Sequence, residues 1–225
     1  MAAEKLTRET VVESALSLAD EEGVEAVTIR RLAGRLGVTP MALYWHFKNK
    51  DELMWALAEH VLSGVTADLS PGDSWQKRLR MMVEALVRVM REHPCLPDLL
   101  TAVEDKHEVE SFKRATEVAL DVLATAGFTL SEGFAISAYL LNGSVALVKN
   151  QPYCPANRSV TDEAEARRQR RLKLESLPPD RYPRMIEYAA TLCDPPDRER
   201  YFTFGVDLLL AGVEALARKN PPAPG

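Results

Sequence analysis

No apolar run in the chain approaches the ~18 uninterrupted residues that a membrane span needs, and no apolar stretch before a small-residue cleavage site stands at its start. Membrane insertion and export are therefore not expected. Cysteine is scarce. Cys95, Cys154 and Cys193 are odd in number, far apart, and lack the Cys-x-x-Cys or His-x-x-x-His spacing of a metal site, so no metal or cofactor is expected and a reduced, cytoplasmic chain is. Period-two runs of β-branched residues are missing too, which argues against a sheet-based fold. A basic excess is also absent: 28 Lys and Arg stand against 33 Asp and Glu, a formal net charge of −5. Indiscriminate coating of nucleic acid, which depends on many phosphate contacts, does not fit that balance.

What is present is helical. Hydrophobic residues make up 46% and charged residues 27% of 225 residues, enough for a folded core in one large or two small domains. Leu, Ala, Glu and Arg dominate at spacings near 3.6, so the expected fold class is all-α.

The charge is unevenly placed. Residues 1–25 carry seven acids, whereas residues 26–50 carry Arg30, Arg31, Arg35, Lys48 and Lys50 and no acid. A solvated helix face would explain such a run as well as a nucleic-acid contact would. Within it, Thr28 caps a helix with Ile29, Leu32, Ala33 and Leu36 inward, and Gly37 ends that helix. Thr39 caps the next, with Pro40 in its first turn and Leu43 and Phe47 inward. An earlier helix starts after Thr7 and stops at Gly23. The outward face of the third helix offers Pro40, Met41, Ala42, Tyr44 and His46, small, apolar or ring-bearing groups that can approach base edges and phosphates. Taken singly, Tyr44 and Trp45 could equally be core aromatics and His46 a surface histidine.

Thr28-Ile29-Arg30-Arg31-Leu32-Ala33, Leu36-Gly37-Val38-Thr39 and Tyr44-Trp45-His46-Phe47-Lys48-Asn49-Lys50 together resemble the DNA-binding domain of the tetracycline-repressor family, over residues 6 to about 60. The resemblance implies a helix-turn-helix domain at 1–50, a connector helix at about 50–66 and a ligand-binding and dimerisation domain at 51–220, while the proline-rich 221–225 reads as a flexible tail. It implies double-stranded operator DNA as partner. Thr28 would then hold phosphate, and Arg30 would reach a base, most naturally guanine. Pro40, Met41 and Ala42 would line the groove, Tyr44, His46 and Lys50 would hold phosphates, and Thr39 would also contact the DNA. Met41 and Ala42 replace polar base readers of the tetracycline repressor, which implies a different operator. A head this small needs two half-sites, about 34 to 36 Å apart or a multiple of it, hence a homodimer.

Beyond the connector, Ser70-Pro71-Gly72-Asp73 reads as a turn, and helices are expected at 74–93, about 107–126, 131–150 with Ser131 as cap, and from near Asp197 to Arg218. His93-Pro94 and Leu96-Pro97 read as breaks, 151–161 as a loop, and 162–175 as a charged, partly ordered helix. Two of these helices are apolar on several faces. They read either as internal core helices or as a four-helix dimer interface built from Phe134, Ala138, Leu141, Val145, Phe202, Leu209, Gly212, Val213 and Leu216. Gly72-Asp73-Ser74-Trp75-Gln76 and Gly127-Phe128-Thr129-Leu130-Ser131-Glu132-Gly133 extend the resemblance to the family's C-terminal domain. That implies an effector cavity, with Met82, Leu86, Phe112, Thr116, Tyr139 and Asn142 as candidate lining residues. Met82 stands where a tetracycline binder would have asparagine, and no histidine falls at the magnesium position, so an apolar or aromatic small molecule is expected in place of a magnesium–tetracycline pair.

The function these features imply is a repressor released from palindromic DNA by a small molecule. An effector-independent regulator or an activator remains open, as does a helical enzyme. For the last, only His60, His93 and His107 offer a base, and none has a Ser, Cys or acid at triad or metal spacing.

Overall fold

The computed structural model describes residues 6–65, 69–70, 72–151 and 160–217, and every regular element among them is a helix. Three short helices form an N-terminal head: α1 (Arg8–Glu22), α2 (Ile29–Leu36) and α3 (Pro40–Tyr44). Each starts where a threonine can cap it. The Thr7 side chain accepts from the Thr10 amide, Thr28 from the Arg31 amide at 3.2 Å, and Thr39 from the Ala42 amide at 3.4 Å. Gly37 ends α2 at φ +67°, a left-handed conformation that lets α3 turn away at once and that a residue with a Cβ adopts only under strain. The head closes on Val11, Ala15, Leu32, Leu43 and Phe47, all fully buried.

α4 (Lys50–Ser63) is the connector; it is shorter than the expected 50–66, and 66–68 lie outside the described residues. Asn49 caps it by accepting from the Glu52 amide at 2.8 Å. Its buried Leu53, Met54, Leu57, Ala58, Val61 and Leu62 pack against α1 on one side and the C-terminal helices on the other. Those helices are α5 (Trp75–Glu92), α6 (Leu96–Ala102), α7 (Glu110–Thr125), α8 (Leu130–Lys149), α9 (Val160–Glu175), α10 (Pro183–Ala189) and α11 (Arg198–Ala217). α5, α7, α8 and α11 form the body, and α9 and α10 pack mainly on one another.

Several boundaries differ from the sequence reading. The Leu96-Pro97 step starts α6 rather than breaking the chain, because proline in the first helical turn needs no amide partner. α8 is capped by Thr129, not Ser131: the Thr129 hydroxyl meets the Glu132 amide while the Glu132 carboxylate returns to the Thr129 amide, a reciprocal box that sets the start at Leu130. α10 has no counterpart among the expected helices, since its seven residues are too few to show a period. The expected loop at 151–161 and the tail at 221–225 fall largely or wholly outside the described residues. Gly143 and Gly205 let α8 and α11 come close: a Cβ at Gly143 would stand 2.4 Å from Leu209 Cδ2, and one at Gly205 would stand 2.3 Å from Leu147 Cδ1. No helix among the described residues is long and apolar enough to cross a membrane.

The basic run of the head is half neutralised in three dimensions. Arg35 meets the Glu21 carboxylate at 2.7 and 2.8 Å and Ser17 at 2.9 Å, and Arg31 meets Glu22 at 2.6 Å. The Arg35 hydrogen bond, with a smaller one from Ser17, holds the Glu21 carboxyl down to about 2, against an ordinary 4.5. Because the folded value is depressed, this link contributes its full stability above pH 4.5 and loses it as pH falls towards 2. Glu21→Gln is therefore expected to flatten the acid limb of the head's unfolding between those limits, followed by thermal melts; an acid limb identical to wild type would refute the assignment.

Candidate nucleic-acid interface and effector cavity

With Arg31 and Arg35 tied to α1, the cations left free on the head are few. Arg30 is exposed and, among the described residues, has no hydrogen bond or ion pair; the same holds for the Lys50 side chain at the start of α4. Thr28, Thr39, Pro40, Met41 and Tyr44 are exposed beside them, with Met41 at 67% and Tyr44 at 49% accessibility, while Ala42 and His46 are half-buried. All nine residues lie on α2, α3, their caps or the stretch that leads into the first turn of α4, and none of them is buried. Trp45 joins them. At 86% accessibility it is no core aromatic. The spacing carried that signal: Leu43 and Phe47 point inward, and position 45 lies about half a helical turn from both.

Arg8 anchors this surface. Its guanidinium donates to the His46 carbonyl at 2.9 Å and to Glu52 at 3.0 Å, and lies 4.4 Å from the centre of the Phe47 ring. Glu52 also accepts from the Lys48 amide at 2.8 Å, and these bonds, the amide first, lower its carboxyl below the usual range. The end of α3 and the start of α4 are thereby held as one piece.

The body contains a cavity of about 660 Å³ between the end of α4 and helices α5, α6, α7 and α8. That is within the ~300 to 1,000 Å³ range of small-molecule sites. Met82, Leu86, Phe112, Thr116 and Asn142 line it together with Leu62, Val65 and Leu79. Tyr139 does not: it is 77% exposed, on another face of α8. Phe134, Ala138 and Leu141, expected at the dimer surface, also line the cavity. Glu104, Lys106, His107 and Arg114 also line it, and of these the sequence had pointed only to His107, as a candidate base.

The apolar faces of α8 and α11 are not internal to the protomer. Phe134, Tyr139, Phe204, Leu208 and Leu216 are each at least half exposed. Two expected interface residues are corrected: Phe202 and Val213 are 5% and 6% accessible and point into the protomer's own core, where Phe202 lies under Arg91 at 4.2 Å. Leu209 is half-buried against Gly143. The outward stripe of α11 is instead Phe204, Leu208, Gly212 and Leu216, one every turn. Val145 is half-buried on α8.

A reading head with a free arginine, a ligand-sized cavity and a single connector helix between them define a class: the ligand-responsive, helix-turn-helix transcriptional regulators. Comparison with known proteins makes the assignment particular. The family model for bacterial regulatory proteins of the tetR family matches residues 11–57, and that for the tetracyclin repressor-like C-terminal domain matches residues 69–217. The chain belongs to the tetR family. It is 31% identical over 214 residues to the tetracycline repressor protein class D of Escherichia coli, covering 93% of this chain and 90% of the relative. It is 29% identical over 229 residues to the HTH-type transcriptional repressor DrrR1 of Streptomyces coeruleorubidus, covering 97% and 82%. The crystal structure of the Streptomyces coelicolor TetR family protein ActR in complex with actinorhodin matches with a TM-score of 0.78 at 25% identity, covering 95% of this chain and 99% of that one.

Proposed function

We propose that the protein is a cytoplasmic homodimeric repressor that binds a palindromic operator and releases it when an apolar or aromatic small molecule occupies the body cavity. The observation that carries this reading is the 660 Å³ cavity, walled largely by Leu, Met, Val and Phe side chains, against the end of the same helix whose start is bound to the reading head. The ActR complex with actinorhodin supports an aromatic class of effector. Nothing in the cavity lining resembles a catalytic constellation, and the similar proteins are regulators. Arg30 is the proposed base reader, with Pro40, Met41 and Ala42 in the groove and Thr28, Thr39, Tyr44, His46 and Lys50 on phosphates.

The test is selection of duplex DNA from a random-sequence pool, followed by competition with aromatic small molecules. A two-fold symmetric consensus and ligand-dependent release are expected; an asymmetric single site, or release by no compound that shifts the melting temperature, would count against the reading. On the selected duplex, Arg30→Ala is expected to relax preference at one base pair per half-site, worth ~1 to 3 kcal/mol, whereas Lys50→Ala weakens all sequences alike. Gel shifts with single-base variants separate the two. Leu86→Trp, which fills the cavity, is expected to abolish ligand binding and with it any ligand-dependent change in operator affinity, read as gel shifts with and without the compound.

A further inference from the structure

The first turn of α7 has no cap of its own. Val109 occupies the cap position with an extended backbone and a side chain that cannot accept a hydrogen bond, which would leave the first amides of the helix without partners. A carboxylate from another helix supplies what is missing. Glu59 of α4 accepts from the Ser111 amide at 2.7 Å through one oxygen and from the Ser111 hydroxyl at 2.6 Å through the other, and Arg114 stands 3.7 Å away. A negative group there also complements the positive end of α7. Ser111 is buried and, with Phe112 and Arg114, lines the cavity.

Two turns back along α4, Glu52 grips Arg8 and the Lys48 amide. The connector therefore carries a carboxylate at each end, one bound to the reading head and one to the cavity helix. We propose that Glu59 is the coupling residue of this regulator, a positioning group that ties the first turn of α7, and so the cavity wall, to the placement of α4. A serine or threonine at position 109 would offer α7 a cap of its own beside the Glu59 carboxylate, so that the helix would no longer depend on α4 once Glu59 is removed. With valine there, α7 completes its first turn only when α4 is in position, so whatever displaces one loosens the other. The proposal rests on reading the cavity as the effector site, and reciprocity requires that DNA on the heads be felt at Ser111.

The experiment uses the full chain, a duplex selected from a random pool, and amide hydrogen exchange. In wild type, duplex binding is expected to slow exchange at Ser111, Phe112 and Lys113 by about fivefold or more, the lower end of ordinary coupling. In Glu59→Ala with Val109→Thr, which moves the cap onto α7 itself, these amides stay protected but no longer respond to DNA. Val109→Thr alone keeps the response. No response in wild type, or an undiminished response in the double variant, overturns the proposal. If the double variant does not fold, Glu59→Gln, which keeps the length and loses the charge, is expected to give a reduced response, and an undiminished one overturns the proposal equally. Failure of the effector-site reading would appear elsewhere, as ligand release that survives Leu86→Trp.

Discussion

Phe47→Ala is expected to unfold the reading head and abolish operator binding while the body stays helical. Phe47 is fully buried where α1, α2 and the end of α3 meet, and it carries the Arg8 guanidinium on its ring. Phe→Ala in a core costs about 3 to 5 kcal/mol from lost burial and the cavity left behind. Against a total of ~5 to 15 kcal/mol for a typical domain, a three-helix head cannot absorb that loss. The variant also removes the ring on which the Arg8 guanidinium rests, leaving the His46 carbonyl and Glu52 as the contacts that hold it between α3 and α4. Operator affinity is expected to fall by about a hundredfold or more, at 1.4 kcal/mol for each factor of ten. Gel shifts and far-ultraviolet circular dichroism check both halves of the expectation; unchanged affinity would mean that this core does not hold α3.

Leu208→Glu is expected to convert the dimer to monomers. Leu208 is 66% exposed on the outward stripe of α11, between Phe204 and Gly212. In a two-fold interface one substitution appears twice, placing two carboxylates in an apolar seam with no basic residue on that stripe. Burying an unpaired charge costs several kcal/mol per ion after relaxation. The dimer dissociation constant should therefore rise about a thousandfold or more, the equivalent of ~4 kcal/mol. Sedimentation of the variant would read it directly, and operator binding should fail with it because one head alone buries too little surface. Val213→Ala, by contrast, acts inside the protomer and leaves the oligomeric state as it is. A Leu208→Glu protein that sediments as a stable dimer would place the interface elsewhere.

The reading head was the most legible part of the chain. Threonine caps, Gly37, Pro40 and the inward Leu32, Leu43 and Phe47 are local signals, each acting within one helical turn, and the helix ends fall at those caps. The body was less legible. α10 is too short to show a period, Leu96-Pro97 looks the same whether it breaks a helix or starts one, and Ser131 and Thr129 compete as caps until Glu132 closes the box on Thr129. On α11 the period was visible and its phase was not: Phe202 and Phe204 are equally apolar, and only packing against α5 and α8 decides that Phe202 turns inward and Phe204 outward.

By itself, then, the sequence determined an all-helical chain, a helix-turn-helix with Arg30 on it and Lys50 just beyond it, and apolar helices in excess of one core, because caps, periodicity and composition act over a few residues. The tertiary structure alone decided which charges are free and which helices are tied to one another. Arg31 and Arg35 are lost to Glu22 and Glu21, Tyr139 leaves the cavity for the surface, and Glu59 caps a helix 52 residues away. These are pairings between distant segments, and no local pattern encodes which partner a side chain meets once the helices have packed.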